Sequence, residues 1–188
     1  MGRSVVLNRR PQRVISLVPS QTELLYQLGL APIGQTVFCI KPEQAFKTAT
    51  KIGGTKKLNI EKIRSLNPDL IIGNKEENDQ SQIETLSKEF PVWMSDIYTI
   101  DDSIDMIQSI GTITGTQEKA KKIIHDIEGR LKKIREGDFT PKTFLYIIWN
   151  EPFMTIGHSN FINSMLQLIG LENCIIDPKS RYPEITEN

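Results

Sequence analysis

Arg13-Val14-Ile15-Ser16-Leu17-Val18-Pro19-Ser20-Gln21-Thr22-Glu23 passes from a short apolar run straight into a helical pattern. Ser20 and Glu23 have the spacing of a capping box, so the sequence predicts a strand up to Val18 and a helix that Ser20 caps. Pro19, Ser20 and Thr22 then stand where the carboxyl end of a strand meets the amino end of a helix. Open α/β sheets hold their ligands at that edge, so the stretch is both a fold signal and a candidate binding site.

Downstream the alternation continues. A helix over 21–28 stops at Gly29, and 35–39 reads as a strand. Asn59 caps a helix over 60–66, with Ile60, Ile63 and Leu66 on one face. Pro68-Asp69 turns into the apolar strand Leu70-Ile71-Ile72-Gly73, a helix over 80–90 closes at Pro91, and Val92-Trp93-Met94 is the next strand. Strand–helix alternation of this kind predicts a parallel sheet covered by helices on both faces.

From 102 to 137 the strand rhythm is absent. Asp101 or Asp102 is expected to cap a first helix that Gly111 and Gly115 interrupt. A second helix spans 117–136, with Ala120, Ile123, Ile124, Ile127, Leu131 and Ile134 as one buried stripe. At 1.5 Å per residue it is a rod of ~30 Å. It contains no proline, and Gly129 is its one weak point, so it is expected to resist bending. Strand signals resume at 143–149, a helix at 160–169 ends at Gly170, and 173–176 is a further strand. The fold class is therefore α/β, with two lobes containing parallel sheets joined by one long helix. The expected organisation is an N-terminal lobe at 1–97, a helical linker at 98–140 and the start of a second lobe at 141–188, too short to close a balanced sheet.

The chain has 188 residues, 38% hydrophobic and 24% charged, and its 23 basic and 23 acidic residues cancel. That balance gives no bulk attraction to nucleic acid or an anionic membrane. No apolar run is long enough to span a bilayer. Residues 1–10 carry charge but no apolar signal core, which reads as a cytoplasmic chain or as a mature form with its signal removed. Cys39 and Cys174 are either free thiols or one long-range bridge.

Enzyme templates fail. The sequence has no G-x-G-x-x-G, no P-loop and no G-x-S-x-G elbow, and the glycines and lysines at 53–57 have the wrong spacing for a phosphate loop. His125 and His158 do not form metal-ligand spacing. What remains is a row of loops after strands: Pro19-Ser20, Phe38-Cys39-Ile40-Lys41, 74–78, Ser95-Asp96 and 149–153. They carry Phe38, Trp149 and Phe153 for apolar or stacking contact. Lys41, Lys56 and Lys75 either meet an anionic group or are solvated loop residues. Phe38 and Trp149 taken singly fit the core equally well; taken together the set reads as a ligand cleft. Cys39 reads as a buried inert thiol or as a reactive one.

The ordered pieces resemble a family. They are Gly2-Arg3, Pro11 through Glu23, Gly53-Gly54, Asn59-Ile60-Glu61-Lys62-Ile63, Leu66 through Ile72, Phe161-Ile162, Gly170-Leu171-Glu172-Asn173 and Arg181-Tyr182-Pro183-Glu184-Ile185. Together they resemble the helical-backbone substrate-binding proteins of ABC importers for vitamin B12, ferric siderophores and related metal chelates. The resemblance implies a non-catalytic, monomeric receptor, periplasmic or at the cell surface. It would take a small-molecule chelate or corrinoid between its lobes and pass it to an ABC permease, with no nucleic acid and no resident cofactor. It implies ligand contacts at Phe38, Tyr182 and near Trp149, with Pro19, Ser20, Cys39, Thr55, Lys56 and Lys75 in the same loops. Thr55 stands at or beside a position that is aromatic in the B12 binder. Glu61 matches one of two acidic permease-docking residues, and Glu187 is nearest to the second. Two other readings stand beside this one: a receptor for free Zn²⁺ or Mn²⁺, and a small cytoplasmic α/β enzyme using Cys39 as nucleophile.

Overall fold

Strand β1 (Val14–Ser16) and helix α1 (Pro19–Gln27) form the predicted strand-to-helix unit, but the helix starts earlier than the capping box requires. Val18 is the N-cap and makes no side-chain capping bond. Pro19 takes the first helical position, where its fixed φ fits and its missing N–H costs nothing. Ser20 is thereby moved inside the first turn. The chain is described by a computed structural model covering residues 5–175 and 180–185; Glu187, Ile176 and Gly2-Arg3 lie outside the described residues.

The remaining elements of the first half are β2 (Gly34–Gln35), α2 (Glu43–Thr48), α3 (Ile60–Leu66), β3 (Leu70–Asn74), α4 (Gln80–Ser87) and β4 (Val92–Ser95). Asn59 caps α3 as expected, its side chain accepting from the Lys62 N–H. Asp79 does the same for α4 through Gln82. The expected strand at 35–39 shortens to two residues. After Gln35 the backbone bends, with the Val37 N–H donating to Gly53 O and the Cys39 N–H to Thr36 O. The four strands make one parallel sheet in the order β2-β1-β3-β4, with Ile15 opposite Ile71 and Ile72 opposite Trp93. All five residues of β3 are buried, as an interior strand with both faces covered requires. Ile15, Leu17, Ile52, Ile63, Ile71 and Leu86 form the centre of this core.

Next come the two long helices, α5 (Ile100–Ile113) and α6 (Gln117–Arg135). Neither Asp101 nor Asp102 caps α5. Thr99 is the cap: its hydroxyl accepts from the Asp102 N–H, while the Asp102 carboxylate accepts from the N–H groups of Tyr98 and Thr99. This is a reciprocal capping box with Asp in the third position. Those bonds hold the Asp102 carboxyl below its ordinary pKa. Gly111 does not interrupt α5 but lies inside it. A Cβ there would come within 2.5 Å of the Ala120 Cβ, so glycine permits the close approach of α5 and α6. Along α6 the apolar stripe is only partly covered: Ala120 and Leu131 are buried, while Ile123, Ile124, Ile127 and Ile134 are half-buried.

The rest of the chain forms β5 (Lys142–Phe144), β6 (Ile147–Trp149), β7 (Met154–Thr155), α7 (Phe161–Gln167) and β8 (Leu171–Asn173). The single strand expected at 143–149 is divided in two. β5 pairs with β8 in parallel, whereas β6 pairs antiparallel with β7. β8 also begins earlier than the expected 173–176.

The chain forms two α/β units linked by the long helices. One holds the chain up to Asp96 together with Ser109–Ala120; the other holds Ile97–Gln108 and the chain from Lys121 on. Both α5 and α6 therefore pass from one unit to the other, so the linkage has two helices where the sequence predicts one. Among the described residues, no helix is long and apolar enough to cross a membrane.

Candidate functional site

In the order β2-β1-β3-β4 the strand order reverses between β1 and β3, and the carboxyl ends of these two strands are the edge at which open α/β sheets hold ligands. Gln21, fully buried on the first turn of α1, lies at that edge. Its amide donates to Gly73 O at 2.9 Å and to Ser95 Oγ at 2.7 Å. Asn74 Nδ2 also donates to Ser95 Oγ. The Oδ1 of Asn74 accepts from the N–H groups of Glu76 and Glu77, which rolls the loop after β3 into a tight turn. Asn78 locks it from the other side, with Oδ1 accepting from the Asn74 N–H and Nδ2 donating to Thr55 O.

A second buried network lies under the loop after β2. Thr22 Oγ1 stands 2.7 Å from Ser16 Oγ and 3.0 Å from Cys39 Sγ, and Thr36 Oγ1 stands 3.1 Å from the same sulfur. Gln35 Nε2 donates to Cys39 O, and the Tyr26 hydroxyl donates to Gln35 Oε1. Cys39 is thus 1% exposed, and its thiol is packed among hydroxyls. Cys39 and Cys174 are both free thiols, the second exposed.

Above these networks the surface turns apolar. Phe38 is 57% exposed and Ile40 56%. The Phe38 ring lies on Gly54: a Cβ at Gly54 would stand 3.1 Å from its Cε2. Gly53 and Leu58 bridge the short hairpin that presents Gly54, with Gly53 at a φ of 97°, a conformation glycine adopts freely. The sheet edge therefore presents one exposed ring on a backbone platform, above two buried polar networks.

The sequence-predicted residues divide by unit. In the first unit, Pro19 and Thr55 are half-buried at the sheet edge, Ser20, Lys41, Lys56 and Lys57 are exposed beside them, and Cys39 lies beneath. The lysines are less available than their number suggests. Lys56 Nζ donates to Glu76 O at 2.6 Å, and Lys75 pairs with Asp96 at 2.8 Å. Glu77 supplies a carboxyl whose pKa is raised, first by burial and then by Glu76, against the opposing pull of Lys56. Sequence reasoning counted lysines per loop and missed these partners, because the Lys75–Asp96 pair and the Lys56 bond to the Glu76 backbone carbonyl each join residues about 20 apart in sequence. In the second unit, Trp149 is 62% exposed and Phe153 40%, and Tyr182 is half-buried. Glu61 projects from the first turn of α3 with its side chain 81% exposed, ion-paired to Arg64, which also pairs with Glu89. His158 approaches Ile175 O, and His125 is exposed on α6. Among the described residues, no group of three or more His, Cys, Asp or Glu side chains is placed to hold a metal ion.

A sequence profile described as periplasmic binding protein matches residues 14–186, which is nearly the whole chain. The chain belongs to the periplasmic binding protein family. Within that family it is similar to the vitamin B12-binding protein of Vibrio cholerae, 27% identical over 180 residues, covering 93% of this chain and 65% of that one. It is 28% identical over 190 residues to an uncharacterized ABC transporter substrate-binding lipoprotein of Bacillus subtilis, covering 94% and 59%. This periplasmic binding protein thus spans just under two thirds of the length of such relatives. Its fold superimposes on the crystal structure of the periplasmic vitamin B12 binding protein of Vibrio cholerae with a TM-score of 0.82, at 27% identity, over 94% of this chain and 71% of that one. The S. aureus protein IsdE complexed with heme shares the fold at a TM-score of 0.83 and 17% identity, over 94% and 70%.

Proposed function

We propose that this chain is the ligand-capturing portion of an ABC-importer receptor, and that it takes a corrinoid or a metal chelate of the ferric siderophore type. The observation that carries the reading is Phe38, an exposed ring on the Gly54 platform at the carboxyl edge of a parallel sheet. A flat, partly apolar ligand gains by covering such a ring, and the buried amide networks below keep the loops from collapsing onto it. The names borne by similar proteins include several bound metal complexes: vitamin B12 in Vibrio cholerae, an acinetobactin–ferric iron complex in a siderophore binding protein, and heme in S. aureus IsdE. Pro19, Ser20, Thr55 and Lys56 are proposed ligand neighbours in the first unit. Trp149 and Tyr182 are proposed contacts supplied by the second.

Glu61 is the proposed permease-docking residue, with the receptor working in the periplasm or at the cell surface. Substituting Glu61 should leave ligand affinity unchanged and lower ligand-stimulated ATP hydrolysis by the cognate permease. For the ligand, the purified chain is titrated with cyanocobalamin, hemin and a ferric hydroxamate, following tryptophan fluorescence and calorimetry. Saturable 1:1 binding of cyanocobalamin or the ferric hydroxamate, weakened in Phe38→Ala, supports the reading, and saturable binding of hemin alone overturns its ligand class. Binding of none, or binding indifferent to Phe38, overturns it.

A further inference from the structure

In the second unit one side chain ties together two stretches that are distant in sequence. The Arg181 guanidinium lies over the Tyr98 ring, 4.2 Å from its centroid, and 6.0 Å from that of Tyr182. Both distances fall within the range in which a cation is held by an aromatic face. The same guanidinium donates from Nη2 to the carbonyl of Ile97, in the turn that leads into the Thr99 cap of α5. Arg181 thus clamps the segment carrying Tyr182 to the turn carrying Tyr98, across more than eighty residues.

The backbone around Arg181 is pinned independently. Gly157 N–H donates to Arg181 O at 2.9 Å, Thr155 N–H to Pro183 O at 3.0 Å, and Ile185 N–H to Phe153 O at 2.9 Å. Met154 and Glu184 form an antiparallel bridge. A Cβ at Gly157 would collide with the carbonyl of Ser180, so the two backbones lie in direct contact. The strand-like segment is therefore held without the Arg181 side chain. What the side chain adds is the orientation of the rings. A lysine would keep the charge but lose the planar group that can stack and donate sideways at once.

The geometry points to Arg181 as the positioning residue for the aromatic contact of the second unit: it fixes the Tyr182 ring, and with it Tyr98, in the pose that meets ligand. This inference rests on the reading above that Tyr182 touches the ligand, and its test separates the two. The chain is labelled with 3-fluorotyrosine, and the Tyr98 and Tyr182 resonances are assigned by single substitution. Without any ligand, Arg181→Met should shift both resonances and leave those of Tyr26 and Tyr146 in place. Unmoved Tyr98 and Tyr182 signals overturn the proposal. Cyanocobalamin and hemin are then titrated into Arg181→Met, Tyr182→Ala and the double variant. Positioning predicts a loss of about tenfold from Arg181→Met when Tyr182 is present and less than about twofold when it is absent. Equal losses in both backgrounds mean a purely structural role and overturn it. If Tyr182→Ala leaves the affinity for both probes unchanged, or neither binds, the ligand contact fails, and the fluorine signals alone decide whether Arg181 holds the rings. Should Arg181→Met not fold, Arg181→Lys is read in the same cycle and is expected to show the same coupling, smaller in size.

Discussion

Phe38 is exposed enough that its removal should cost the fold little, yet its ring has most of its area left for a ligand to cover. Phe38→Ala should therefore weaken ligand binding by about 1.5–3 kcal/mol, the scale of burying one large apolar side chain, with almost no change in melting temperature. Calorimetry beside a thermal melt checks this, and a large drop in melting temperature with unchanged affinity would refute it. Gly54→Val approaches the same ring from below. Its side chain must enter space that begins 3.1 Å from Phe38, so affinity should fall although no ligand contact has been removed. Glu77 makes a pH-dependent prediction. Burial and Glu76 raise its carboxyl pKa in the folded chain, so proton binding favours folding. The resulting stability is full below the ordinary glutamate pKa and is lost as pH rises through the raised value. Glu77→Gln should thus raise the melting temperature at neutral pH and flatten its dependence on pH across that window. A variant that is less stable at neutral pH would show that the carboxylate is better paired than its burial implies.

Helices and strands were legible in the sequence where the signal was local. Asn59 before Ile60 and the run Leu70-Ile71-Ile72 form the elements their neighbours in sequence predict, because a cap and a doubly buried strand need no distant partner to be recognised. The misreadings fall where a distant residue decides. Gly111 looks like a helix breaker until Ala120 is found packed against it, and 143–149 looks like one strand until β5 joins β8 and β6 joins β7. The edge that carries Phe38 could likewise be read from strand-loop order, whereas the Lys56–Glu76 bond and the Arg181–Tyr98 stack could not, since no spacing rule links their partners. Two glycines in helices make opposite predictions from these contacts. Gly129 on α6 has open space where a Cβ would stand, so Gly129→Ala should stabilise the chain by about 0.5–1 kcal/mol through helix propensity. Gly111→Leu has Ala120 in the way and should destabilise by about 1–3 kcal/mol through overpacking. Urea melts of the pair should move in opposite directions; movement in the same direction would remove the close crossing as the reason for Gly111.

Across the whole molecule, apolar burial is unevenly shared. The first unit packs β1, β3 and their helices around a core containing Ile15, Leu17, Leu25, Ile63, Ile71 and Leu86, each essentially inaccessible to solvent. Among the described residues of the second unit, the buried apolar side chains are Ile100, Ile107, Leu131 and Ile156. Leu145, Tyr146, Ile147, Ile148 and Trp149 are all substantially exposed there. Local opening follows buried apolar contact, so the two units should not open with the same free energy. Hydrogen exchange followed by mass spectrometry should find the amides of β1 and β3 exchanging only through global unfolding. Those of β5 and β6 should exchange at least about tenfold faster through a smaller opening. The helices refine the expectation, because α5 and α6 each contribute residues to both units. The first-unit stretch 109–120, the end of α5, the connection and the start of α6, carries the buried Ile110, Gly111, Thr114, Thr116 and Ala120. They should stay protected while 121–135 frays with the strands that follow, which would put the boundary of the opening inside α6, just after Ala120. Uniform protection along α6, with β5 and β6 exchanging no faster than β3, would show that the second unit draws its stability from something other than its own buried apolar residues.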